Sequence, residues 1–125
     1  MFMAMRGSLQ SDNSRQSRLP VALGFVSGVL VGLAAVVAAI ASAGAGHGNY
    51  VAARALFPVP MLLTFYQGDS FGLLSMIVAL AQFPFYGVLV AWTYGRKSSV
   101  PLLTVSLVHL LAGAICFLGA LPNFS

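Results

Sequence analysis

Two apolar runs of this chain carry polar and small side chains at helical spacing. Ser75, Ala79, Gln82 and Tyr86 recur at intervals of four, three and four, and Ser106, His109, Gly113, Cys116 and Ala120 follow the same rhythm. Each set falls on one stripe of a helix otherwise made of Leu, Val, Ile and Phe. The short polar stretch Arg96-Lys97-Ser98-Ser99 joins the two runs, so they form an antiparallel hairpin. Residues at matching depth in such a hairpin have numbers that sum to roughly 195 if both helices rise equally. That register pairs Tyr86 with His109, Gln82 with Gly113 and Ala79 with Cys116, and it predicts that His109 touches Tyr86 or Gln82. Two chemistries fit. An imidazole near its usual pKa of about 6.5 can relay a proton or sense pH inside a bilayer. The simpler role is an interhelical hydrogen bond, the common packing device of polar groups in hydrocarbon.

Other chemistries find little support. His47 and His109 lie at different membrane depths, which disfavours a bis-histidine haem, and Cys116 stands two turns from His109 with no carboxylate at span depth, which disfavours a metal. No cofactor is expected. No Ser, His and Asp set converges and no glycine-rich phosphate loop opens a soluble helix, so the chain reads as no enzyme. In size and hydropathy it is similar to the small multidrug transporters, but those share an acidic residue inside the first span. Here Asp12 and Asp69 both lie outside spans, and a proton-coupled cation exporter is disfavoured.

The elements that position these groups belong to a membrane. With 59% hydrophobic and 6% charged residues and a mean hydropathy of +0.94, the chain has too little polar surface to coat a soluble core. Its net charge of +4 comes from scattered cations near the ends of apolar runs, a pattern of topology and headgroup contact with no nucleic-acid patch. The lone Cys116 excludes an internal disulfide.

Taken in order, residues 1–19 read as a polar, disordered tail, and residues 20–125 as one transmembrane helical domain with helices at about 20–43, 50–66, 70–95 and 100–121. Pro20 suits the first turn of helix 1. A cleaved signal peptide ending at Ala41-Ser42-Ala43 competes, but the apolar stretch is longer than a signal core. Along helix 1, Gly24, Gly28 and Gly32 stand one above another, a bare strip where another helix backbone can come close.

Three glycines between Gly44 and Gly48 stop that helix. The second segment, Tyr50 to Tyr66, is short, and Pro58 and Pro60 must kink or break it near Phe57. The third ends in Trp92 and Tyr94, an interfacial belt. If the second segment dips in without crossing, Arg6, Arg15, Arg18, Arg96 and Lys97 share one side and Arg54 lies on the other. If it crosses, the split is three and three. The positive-inside rule prefers the first arrangement, with the N-terminus cytoplasmic. The second stays open, because a helical Tyr50–Tyr66 would be about 25 Å long.

The stretch His47-Gly48-Asn49-Tyr50-Val51-Ala52-Ala53-Arg54-Ala55-Leu56-Phe57-Pro58, followed by Gln82-Phe83-Pro84-Phe85-Tyr86-Gly87, resembles small multi-span inner-membrane proteins of bacteria in which a His-Gly-x-Tyr turn leads into a basic residue and Leu-Phe-Pro. The resemblance covers about the middle third of the chain and implies no activity. His47, Tyr50 and Arg54 then fall near one membrane face, where Arg54 either binds lipid phosphate or a carboxylate or merely anchors the helix.

The expectation is an all-α integral membrane protein of four helical segments: three full spans plus a short Pro-broken second segment, or four spans. Its partners are the lipid bilayer and a homo- or hetero-oligomeric membrane protein. It is expected to act through helix contacts as an accessory subunit or self-assembling bundle, with the glycine face of helix 1 as the means. The alternative is an oligomeric small transporter or channel with a polar path at Gln82, Tyr86 and His109.

Overall fold

The computed structural model describes residues 2–44, 48, 50–68 and 71–118, with the backbone alone for 2–17; His47 and the stretch beyond Leu118 lie outside the described residues. The described residues are all-helical: α1 (Phe2–Ala43), α2 (Val51–Leu56), α3 (Pro58–Leu63), a 3-10 turn (Thr64–Gln67), α4 (Leu73–Arg96) and α5 (Val100–Phe117). Three stretches are long and apolar enough to cross a membrane, Arg18–Ala43, Leu73–Arg96 and Val100–Phe117. The shortest, at 18 residues, rises about 27 Å, close to the ~30 Å hydrocarbon layer.

The N-terminal tail departs from expectation. Residues 2–19 are helical and continuous with the first span, and Pro20 lies inside α1 instead of opening it. The proline removes a single bond, the one that Gln16 O would receive. Before it stand Arg, Gln, Leu and Met and after it Ala and Leu, all of which carry helix well.

Helix α1 packs mainly on α4, and the two run antiparallel: Gly24 lies against Gly87 and Ala91, Gly28 against Phe83 and Pro84, and Gly32 against Phe83. The C-terminus of α1 and the N-terminus of α4 therefore share one end of the molecule. The second segment starts and finishes there. On its inbound arm the Ala52 N–H donates to Ser42 Oγ at 3.3 Å. On its outbound arm Gln67 Oε1 accepts from Gly72 N at 2.9 Å and from Ser75 Oγ at 3.0 Å.

Between the arms the chain breaks at Phe57, whose φ of −126° and ψ of 50° fit no helix, and Pro58 starts α3 in a new direction. The tip reaches the level of Gln82, nine residues or about 14 Å of rise into α4, roughly half the hydrocarbon depth. This is a re-entrant helical hairpin, and its geometry favours the three-span arrangement over the four-span one.

The hairpin acts as a wedge. Helix α3 packs on both α4 and α5, which touch each other far less than α1 and α4 do. Its buried Pro58, Pro60 and Met61, with Thr64 of the turn that follows, are among the most buried side chains described, and Met61 clusters with Cys116, with Ala53 and Leu62 packed against the pair. The direct pairings expected between α4 and α5 therefore hold only nearer the Lys97 turn. Deeper in, where Gln82 was expected to meet Gly113 and Ala79 to meet Cys116, Gln82 and Cys116 instead bond to the hairpin, and a Cβ added at Gly113 would meet nothing within 4 Å.

Candidate functional site

A polar cluster forms where the wedge ends, and the prolines explain it. A helical carbonyl accepts from the N–H four residues on. Pro58 has no N–H for Arg54 O, Pro60 has none for Leu56 O, and the turn at Phe57 leaves Ala55 O without its helical donor. Bare carbonyls at mid-membrane find no water, so side chains must serve them.

They do. Gln82 Nε2 donates to Leu56 O at 2.8 Å, and His109 Nε2 stands 3.1 Å from Ala55 O. The Cys116 thiol donates to Pro58 O at 3.5 Å. Tyr86 Oη lies 3.0 Å from His109 Nδ1, with the two rings edge to face at 5.8 Å. Tyr86, Gln82 and His109 thus converge, from α4 and α5, on one break in a third element. Phe57 seals the tip against Phe83, ring centroids 5.4 Å apart.

The network assigns the protons. Ala55 O can only accept, so Nε2 carries hydrogen. In the neutral ring Nδ1 is then an acceptor and Tyr86 O–H donates to it. The result is a directed chain from Tyr86 O–H through the imidazole to the Ala55 carbonyl. Replacing Tyr86 with Phe is expected to leave the protein inserted and folded, at a cost of about 0.6 kcal/mol in reversible unfolding. Nitrogen-15 NMR of His109 will report the Nε2–H tautomer in the wild type; an Nδ1–H signal contradicts this assignment.

One polar atom of the cluster is unserved, Gln82 Oε1, which is buried with no partner. A cleft of about 450 Å³ opens between α4 and α5 beside His109. Leu56, Leu89, Val90, Leu102, Val105 and Leu110 wall it, with Tyr86, Ser106 and His109 as its few polar members. A second cleft of about 410 Å³ runs along the other flank of α4, between it and α1, and shares Phe83, Tyr86 and Val90 with the first.

The glycine strip of α1 belongs to the scaffold that holds α4 in place. A Cβ on Gly24 would strike the Gly87 carbonyl oxygen and stand 2.9 Å from Ala91 Cβ. One on Gly28 would strike the Phe83 carbonyl oxygen and stand 2.8 Å from Pro84 Cα, and one on Gly32 would lie 3.2 Å from Phe83 Cβ. This strip is filled by the chain's own α4. Gly87 is its counterpart, and the four-residue spacing of Gly87 and Ala91 is the small-residue signal that could have marked it.

Tyr50 and Arg54 sit on the inbound arm. Tyr50 caps α2 in the left-handed conformation, φ 53°, and its carbonyl accepts from Arg54 N at 2.9 Å. Arg54 is half-buried, and its Nε is closed off without a partner. The groups that sequence reading missed are the acceptors themselves, the backbone carbonyls of Ala55, Leu56 and Pro58. Nothing in side-chain spacing points to them, although the paired prolines do. The chain matches no family model, no curated protein and no solved structure.

Proposed function

We propose that this is a non-catalytic multi-pass protein of a bacterial inner membrane, with its N-terminus cytoplasmic, that works as a subunit through contacts between helices. One observation carries the reading: the donors of Gln82 and His109 are spent on the chain's own broken backbone, and the cleft beside them is walled by aliphatic side chains. A largely apolar cleft suits a neighbouring helix better than a solute in water. The outward faces agree. Large apolar side chains such as Val37, Leu103 and Leu110 stand more than half exposed on the spans, available to lipid or to a second protein. The cation distribution, five on the side of the α4–α5 turn against Arg54 on the other, supports the cytoplasmic N-terminus.

The experiment is site-specific photocrosslinking in native membranes. A photoreactive residue at Val90, in the clefts, is expected to capture one discrete partner or a second copy. The same residue at Leu107, exposed on α5, is expected to capture lipid. Lipid adducts alone at Val90, with a 13.0 kDa monomer in native nanodiscs, would contradict the reading.

The transporter or channel alternative draws on the unserved Gln82 Oε1 beside a broken helix at mid-membrane, a combination that many solute sites use. Solute or proton flux in liposomes, lost in a folded His109→Ala variant, would favour it.

A further inference from the structure

Arg54 presents a cation that the rest of the described structure leaves unanswered. Its Nε is buried without a hydrogen-bond partner. Its terminal nitrogens are not shut off in this way, and no ion pair or side-chain hydrogen bond engages them among the described residues. A guanidinium cannot shed its charge by losing a proton, so in a membrane protein it needs either water or an anion.

The described residues offer no carboxylate as that anion, and Asp69 lies outside them. The chain contains two acidic residues, Asp12 and Asp69. Asp12 is separated from Ser42, beside which the inbound arm docks, by about 45 Å of continuous α1, far beyond the reach of any side chain. Arg54 itself lies four residues, about 6 Å of rise, inside Tyr50 at the membrane edge. An arginine at that depth has an apolar stem long enough to carry its fork to a headgroup layer. The backbone that carries Arg54 is docked in the hairpin, since the neighbouring Ala53 packs against the Met61 and Cys116 cluster. A freely snorkelling arginine has all its nitrogens in water; this one has a fixed inner edge and an open outer one.

We propose that Arg54 is an oxyanion site of the phosphate class, filled either by the phosphate of an anionic phospholipid or by free phosphate, on the face of the molecule where the hairpin enters. The fork of a fixed guanidinium matches two phosphate oxygens, which an ammonium does not.

The test uses the full chain in detergent, with phosphatidylglycerol, phosphatidylcholine and inorganic phosphate as probes, read by native mass spectrometry and by thermal shift. The wild type is expected to retain phosphatidylglycerol over phosphatidylcholine. Arg54→Gln is expected to lose that retention about ten-fold or more, and Arg54→Lys to lose most of it. Displacement of the lipid by millimolar inorganic phosphate identifies free phosphate as a ligand of the same site; resistance to displacement identifies the lipid. Equal lipid retention and equal thermal shifts in wild type and Arg54→Gln would overturn the proposal. So would Asp69→Asn and Arg54→Gln lowering Tm equally with no further loss in the double variant, because Asp69 would then be the counter-ion. If Arg54→Gln fails to fold, the wild-type thermal shift decides: stabilisation by phosphatidylglycerol but not phosphatidylcholine, or by inorganic phosphate, upholds the site, and none overturns it.

Discussion

Replacing Gly28 with alanine is expected to destabilise the bundle by about 1–3 kcal/mol, the usual cost of overpacking a close contact, and Gly28→Leu is expected to separate α1 from α4. The reason is what the new atom meets. At Gly28 the obstruction is backbone, the Phe83 carbonyl and Pro84 Cα, which no rotamer change can move aside. Proline at that point also fixes φ, so the local chain of α4 has little freedom to retreat. Gly24→Ala meets the Gly87 carbonyl and is expected to behave alike. The two effects will not add, since either substitution already pushes the same pair of helices apart. Gly32→Ala presses only on the Phe83 side chain at 3.2 Å and is expected to cost less. Gly113→Ala, with nothing within 4 Å, is expected to be neutral or slightly stabilising, by up to about 1 kcal/mol from helix propensity. Reversible unfolding in mixed micelles measures the series, and equal losses at Gly28 and Gly113 would rule out the close approach.

The second large effect concerns the break. Gln82→Leu leaves Leu56 O bare and His109→Leu leaves Ala55 O bare. Hydrogen bonds between membrane helices average about 0.6 kcal/mol, because the partners usually find alternatives when one is lost. Here the alternatives are fewer. The backbone donor for Leu56 O was deleted by Pro60, and the apolar walls around the tip give water poor access. Each substitution is therefore expected to cost about 1–3 kcal/mol, the range for an orphaned buried group. His109→Gln keeps an N–H and is expected to recover part of the loss. Tyr86→Phe is expected to cost almost nothing in the His109→Leu background, because the Tyr86 hydroxyl acts on the break only through the imidazole. A cysteine placed at Ala55 offers a second readout: its labelling by a water-soluble maleimide is expected to rise in Gln82→Leu. Unchanged stability and unchanged labelling in both leucine variants would remove the pinning role.

How much of this could be read in the chain depends on which partner a residue needs. Four-residue glycine spacing states that some backbone comes close, but not whose. The backbone that comes close is that of α4 in the same chain, where Gly87 and Ala91 offer a matching small surface. Pro58 and Pro60 mark a break from their covalent structure alone, and Phe57 carries it. The depth estimate that set Tyr86 beside His109 needs only helical rise and a turn, and these two residues lie near enough to that turn for the wedge not to intervene. Farther along, the same arithmetic fails for Gln82 and Cys116, since it takes no account of a third element between the helices. Helicity before Pro20 was hidden for another reason. Polarity suggested a loose tail, whereas backbone propensity, which Arg, Gln and Leu satisfy well, extends α1 through it.

The second segment enters and leaves the membrane on one side, held at its tip by Gln82 and His109. A topology reporter decides this most directly: one active only in the cytoplasm and one active only outside it, each fused at the α4–α5 turn and after Ser125. Three crossings place the turn on the side of the N-terminus and Ser125 on the opposite side. Ser125 on the N-terminal side, with the turn opposite, would mean that the Pro58 segment spans the bilayer, and the re-entrant hairpin would be refuted.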